Sequence, residues 1–218
     1  MTVQVQVWSD VVCPWCYIGK RRLERAVQQW IADGGEPVEV VWRPFQLDPG
    51  AADDGATTVE VLADKYGGGE QRARQMIGHV TAIAAEEGLE YHLEHAKRAN
   101  TLAAHVLLAA ALDRGGPALQ DAVAEAFFRA YFTDAGNLGD RAELVALAEG
   151  AGLDGAAAAL DDTGLHARVR AELAEGLAIG VTSVPTFVVG DRGLAGAQEP
   201  EAILALLRTG GRAPVISG

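Results

Sequence analysis

The chain has 218 residues and a mass of 22.8 kDa, with a net charge of −12 and a pI near 4.8. That charge excludes a nucleic-acid footprint, which needs clustered Lys and Arg, and 49% apolar against 22% charged residues excludes intrinsic disorder. No apolar run reaches the roughly 18 residues that a bilayer span requires.

In chain order, Val3, Val5 and Val7 alternate with Gln4 and Gln6, which predicts a strand ending near Trp8. It carries neither the charged start nor the apolar stretch of an export signal, so a cytoplasmic protein is expected, with no membrane and no nucleic-acid partner. The stretch "SDVVCPWC" follows, and then Ile18, Leu23, Ala26, Val27, Trp30 and Ile31 recur at helical spacing up to Gly34. On this helix Lys20, Arg21, Arg22 and Arg25 read as a solvated face. "VEVVWRPF" predicts a second strand.

From Asp48 to about Gly180 the periodicity is helical. Thr57 to Glu60 fits a capping box, and "EQRARQMIGHVTAIAAEEG" is amphipathic and stops at Gly88. "GLEYHLEH" reads as extended. Asn100 or Thr101 caps the next helix, which contains His105; Pro117 suits the first turn of a helix through Phe132; Asp140 opens another; and Leu165 to Leu177 marks the last. Phe127, Phe128, Tyr131 and Phe132 fall at core spacing. The strand period returns with "TFVVG", the turn "GDRG" and "LAGA", before a helix from about Pro200 to Leu207. The expected architecture is an α/β fold split by a helical insertion, with segments 1–48 (β-α-β), 49–179 (helical) and 180–218 (β-β-α).

Cys13 and Cys16 are the only cysteines, and Pro14 and Trp15 stand between them. A sulfur at the point where a strand turns into a helix meets unpaired backbone N–H groups and the positive end of the helix dipole, which favour thiolate over thiol. Cys16, one turn later on the same face, is close enough to close a small disulfide ring. Cys13 is then the attacking thiol and Cys16 the resolving one, with Pro14 and Trp15 tuning the pair. On paper Cys13, Cys16, His92 and His95 make a Cys2His2 zinc set, but the histidines lie far away in a polar segment and no metal is expected. Pro185 begins a strand, and Val184 before it is forced extended. Asp10 reads as a surface acid, and His105 as either a partly buried histidine or a substrate contact.

The pieces "SDVVCPWCYIG", "WRPFQLDP", "GLEYHLEHAKRANTLAAH", "GVTSVPTFVV" and "GAQEPEAIL" span nearly the whole chain. In that order they resemble thioredoxin-fold oxidoreductases of the DsbA family, in particular the FrnE-like branch related to 2-hydroxychromene-2-carboxylate isomerases and kappa-class glutathione transferases. The resemblance implies a thioredoxin fold with a helical insertion, a nucleophile at Cys13, a resolving thiol at Cys16, and a cis Val184-Pro185 bond facing them. It also implies that the Val184 backbone accepts a substrate strand. The isomerase and transferase relatives usually carry Ser at the first cysteine position, so the presence of both cysteines favours dithiol chemistry. The chain departs from many FrnE-like sequences at Val106, where they have Arg.

Three functions compete. The first is a thiol-disulfide oxidoreductase or disulfide isomerase acting on protein, peptide or small-molecule thiols. The second is an isomerase or transferase with glutathione as co-substrate for a small aromatic, and the third is a chaperone-like binding protein. No tightly bound cofactor is expected, and a homodimer is compatible with each reading.

Overall fold

The computed structural model describes residues 2–210. The end of the third expected segment, 211–218, lies outside the described residues.

Strand β1 (Val3–Ser9) is followed by helix α1 (Pro14–Ala32) and strand β2 (Val38–Pro44). The two strands pair in parallel from Val3↔Val38 to Ser9↔Pro44, with α1 as the crossover that parallel neighbours need. Strand β3 (Thr186–Val189) adds antiparallel on the other side of β1, with Val7 opposite Phe187, and β4 (Arg192–Ala195) pairs antiparallel with β3. The order is therefore β2-β1-β3-β4, with β1 in the middle. Its central place explains why Val5, Val7, Trp8 and Ser9 are all buried although the sequence alternates only up to Val7. Each such valine contributes about 1.5–3 kcal/mol by leaving water. Helix α8 (Pro200–Gly210) closes this half, burying Ile203 and Leu207.

Between β2 and β3 run α2 (Thr58–Tyr66), α3 (Gly69–Glu86), α4 (Leu102–Phe132), α5 (Arg141–Gly150), α6 (Ala156–Asp161) and α7 (Thr163–Ala178). The capping box forms: Glu60 N–H donates to Thr57 Oγ1 at 3.3 Å and Thr57 N–H donates to Glu60 Oε2 at 2.7 Å. At Gly116 (φ 69°) α4 breaks, because only glycine enters that region without strain, and Pro117 restarts it as a first-turn residue. Buried Gln120 acts as a substitute strand for the outer edge of β2. Its amide accepts from Trp42 N–H and donates to Trp42 O, both at 2.9 Å.

The layout agrees with the expected α/β sheet carrying a helical insertion, and three local expectations are corrected. "GLEYHLEH" is not extended. It turns twice and joins the irregular link into α4, because Tyr91 and Leu93 plug the core instead of pairing with a strand. Helix α6, which carried no expectation of its own, is a short apolar piece whose Ala156, Ala159 and Leu160 are buried. β4 starts at Arg192, two residues before "LAGA", since the turn is as tight as Gly190-Asp191.

The basic run on α1 is only partly solvated: Arg25 is exposed, as expected, but two of the four are not. Lys20 and Arg22 are buried, Lys20 against Asp121 (3.2 Å) and Glu125 (3.1 Å), Arg22 against Glu87 (2.7 Å). The insertion supplies those acids from 65 to 105 positions further along the chain, a pairing that helical periodicity on α1 alone does not reveal.

Candidate active site

Cys13 is the N-cap of α1, with extended backbone (φ −87°, ψ 114°), and Pro14 occupies the first turn. The loop before it closes when Cys13 N–H donates to Asp10 O at 3.0 Å, and Cys16 N–H donates back to Cys13 O at 3.0 Å. Both cysteines are free thiols. Cys13 is 3% exposed and Cys16 fully buried. Burial pushes the Cys16 thiol well above its ordinary range and the adjacent Cys13 adds to this, while the Ser9 hydroxyl and the Asp10 backbone oppose it.

The Val184-Pro185 peptide is cis. Cys13 Sγ donates to the Val184 carbonyl at 3.7 Å across 171 residues, so β3 and the start of α1 meet at the sulfur. Gly19 allows that approach. A Cβ there would lie 2.8 Å from Pro185 Cγ and 3.2 Å from Phe187 Cζ, closer than packed carbons tolerate. Glycine is required at this position by contact, not by backbone conformation.

Tyr91 reaches the motif from the insertion: its hydroxyl donates to Pro14 O at 2.8 Å. Burial, then the neighbouring Cys13 and Tyr17, push its phenol far up, so it stays a neutral donor. Asp10 is not a surface acid. It is 1% exposed because Oδ2 accepts from Leu47 N–H at 2.8 Å while Oδ1 lies 3.4 Å from His105 Nε2, which itself contacts Phe45 O at 2.8 Å. The pair fastens the 45–47 loop to the cysteine loop.

A cavity of about 570 Å³ opens beside the motif. Cys13, Pro14, Trp15 and Val184 form one side, and Leu62, Lys65, Tyr66, Met76 and Ile77 of α2 and α3 face them. The structure thus gathers Cys13, Pro14, Trp15 and Val184, with Pro185 next to them and Cys16 just behind. His105 does not line this cavity. It borders a smaller one of about 110 Å³ with Trp42, Pro44 and Arg168. His92 is turned to Thr133 O (2.7 Å) and His95 is exposed; among the described residues no group of three His, Cys, Asp or Glu side chains is placed to hold a metal.

Sequence reasoning missed Tyr91, Gly19 and the α2–α3 wall. Gly19 could have been found, since it stands three residues after Cys16, inside a helix; the wall carries no signal beyond ordinary amphipathic spacing.

Comparison with known proteins agrees with this fold. YwbO of Bacillus subtilis is 31% identical over 212 residues, covering 90% of this chain and 92% of its own. A probable DsbA oxidoreductase from Streptomyces coelicolor superposes with a TM-score of 0.87 at 38% identity, over 98% of this chain and 92% of that one. The fold also matches the cytosolic disulfide reductase DsbM of Pseudomonas aeruginosa, solved with GSH (TM-score 0.59, 19% identity, 96% of this chain and 100% of that one). The model of the DSBA-like thioredoxin domain matches residues 4–208, and the chain accordingly belongs to that family.

Proposed function

We propose that the protein is a thiol-disulfide oxidoreductase of the cytoplasm working through Cys13 and Cys16. The observation that carries this reading is the asymmetry of the pair: Cys13 caps a helix and faces a cavity, and Cys16 sits sealed behind it. The Cys13 thiolate attacks one sulfur of a substrate disulfide, forming a mixed disulfide and releasing a thiolate that takes up a proton. Cys16 then loses its proton, attacks Cys13 Sγ and expels the second substrate thiol. Two electrons pass to the substrate and the protein is left with the Cys13–Cys16 disulfide. A low-molecular-mass thiol, glutathione among the candidates, returns the pair to the dithiol. The raised Cys16 thiol supports the division of labour, since a protonated Cys16 waits while Cys13 attacks.

Titration in glutathione redox buffers, followed by the fluorescence of Trp15, tests the proposal. One reversible two-electron transition is expected, lost in Cys13→Ser. A potential near roughly −270 mV marks a reductase and one of roughly −120 to −200 mV an oxidant or isomerase. Absence of any transition in the unmodified protein overturns the reading.

A second reading, a glutathione-dependent isomerase or transferase, is favoured by the apolar cavity beside a helix N-terminus, and the likeness in fold to a protein solved with GSH agrees with it. It predicts activity that survives Cys16→Ala.

A further inference from the structure

The dithiol reading leaves the substrate open, and the walls of the cavity narrow it. Disulfide exchange requires the attacking sulfur to come within bonding distance, about 2 Å, of a substrate sulfur. Cys13 is 3% exposed, and it lines the cavity beneath α2 and α3. A disulfide held on the surface of a folded protein approaches a sulfur this deeply set less readily than a free small molecule does. The cavity's volume of about 570 Å³ lies within the roughly 300–1,000 Å³ typical of small-molecule sites.

The lining sets the chemistry. Val61, Leu62, Met76, Ile77, Val80 and Leu93 give an apolar interior, which suits a hydrocarbon or aromatic body better than a polar peptide backbone. Trp15, Leu47 and Tyr66, each between 37% and 49% exposed, are half of the exposed large hydrophobic side chains among the described residues, and all three line this one cavity. Charge enters from α2. Lys65 lines the wall, its ammonium 5.7 Å from the Tyr66 ring centroid, and makes no ion pair among the described residues; His79 stands in the same wall. Arg98 is already held by Asp54. Two carboxylates also line the cavity, Asp10 accepting from Leu47 N–H and Asp48 from Gly50 N–H, and neither forms an ion pair with Lys65.

We propose that this cavity is the substrate site for a low-molecular-mass disulfide with an apolar body and an anionic group, the anion facing Lys65 and one disulfide sulfur facing Cys13. This rests on the oxidoreductase reading. One turnover is balanced without a further reactant: the protein dithiol becomes the Cys13–Cys16 disulfide, and the substrate disulfide becomes two thiols that take up the two protons released. Continued turnover needs a thiol reductant such as dithiothreitol.

Single-turnover oxidation of the reduced protein tests the proposal. The oxidants are dithiobis(nitrobenzoate), aromatic and anionic; dithiodipyridine, aromatic without a carboxylate; cystamine, small and cationic; and insulin, a folded-protein disulfide. Each rate is divided by the rate of the same oxidant with dithiothreitol. The normalised rate for dithiobis(nitrobenzoate) should exceed those for cystamine and insulin about tenfold or more, a difference of about 1.4 kcal/mol in barrier. Lys65→Met, on an exposed position of α2, should lower it about fivefold at low ionic strength, the most one solvent-exposed charge commonly supplies, and leave dithiodipyridine unchanged. Leu62→Trp, which narrows the cavity, should slow both aromatic disulfides and spare insulin. Equal normalised rates for all four oxidants overturn the substrate class while the dithiol chemistry stands. Failure of every oxidant to form the Cys13–Cys16 disulfide overturns the oxidoreductase reading, and this inference with it.

Discussion

The helical insertion meets the sheet half in two different ways. On the α4 side the contact is filled: the Tyr17 ring stacks on Phe128 at 5.0 Å, its hydroxyl donates to Glu125 at 2.7 Å, Lys20 sits between Asp121 and Glu125, and Trp42 Nε1 donates to Asp121 at 3.0 Å. On the α2–α3 side the contact is hollow, and apolar side chains face the cysteine motif across the cavity. The same insertion thus positions α1 with one wall and leaves room for a ligand with the other. A single core could not do both, because close packing that fixes a helix also excludes a substrate.

The largest expected effect tests that contrast directly. Phe128→Ala removes a fully buried ring from the filled side and should cost about 3–5 kcal/mol in denaturant unfolding. Met76→Ala trims a side chain that already borders the cavity and should cost less than about 1 kcal/mol, as substitutions outside a packed core usually do. Equal costs at the two positions would erase the distinction between the walls.

An intermediate effect is expected at Glu125. Burial raises its carboxyl, but hydrogen bonding to Arg21 and the charge of Lys20 outweigh this and hold it below the ordinary carboxylate range. Glu125→Gln leaves Lys20 with Asp121 and Glu24 as partners. The cost should therefore be about 1–3 kcal/mol, below that of a fully buried pair, because a third of the Glu125 side chain is exposed. A carboxyl held low stabilises the fold above its unfolded pKa, and that contribution is lost as pH falls. The gap between the unmodified protein and Glu125→Gln should accordingly close below about pH 4, measured by thermal unfolding.

These two positions also mark what the sequence discloses. The fold was legible because each of its signals is local: valine alternation in β1, the Thr57 to Glu60 capping box, Pro117 after a glycine, and a cysteine pair between strand and helix. Phe128 was legible as core for the same reason, being one of four aromatic residues at helical spacing. The ion pairs of Lys20 and Arg22 were not, since charge partners on different helices leave no periodic trace on either one. The cavity was illegible on similar grounds. Leu62 and Met76 sit on the inward stripes of amphipathic helices, and nothing in a stripe tells whether it meets a packed surface or an open space. Cys13 and Cys16 were found by spacing, whereas Gly19, Tyr91 and the burial of Asp10 depend on which loops the chain brings together.

The smallest effect concerns Cys16, and its sign follows from burial. The folded chain holds this thiol protonated to higher pH than the unfolded chain, where it ionises near pH 8.5. Below that value both states carry the proton and the thiol contributes its full stability. Above it the unfolded chain releases a proton that the folded chain keeps, so the reduced protein loses stability as pH rises, with a slope of at most one proton. Cys16→Ala lacks this slope while retaining the fold around a small side chain. The phenols of Tyr17 and Tyr91 are also raised and act in the same direction, but near pH 10 and in both proteins, so the difference reports Cys16 together with its interaction with Cys13. Denaturant unfolding of the two reduced proteins between about pH 7.5 and 9.5 should show curves that differ in slope only above the thiol's ordinary range. Parallel curves across that interval would mean that Cys16 gives up its proton as readily in the fold as in water, and the division of roles between an attacking sulfur that lines the cavity and a resolving one sealed behind it would lose its physical basis.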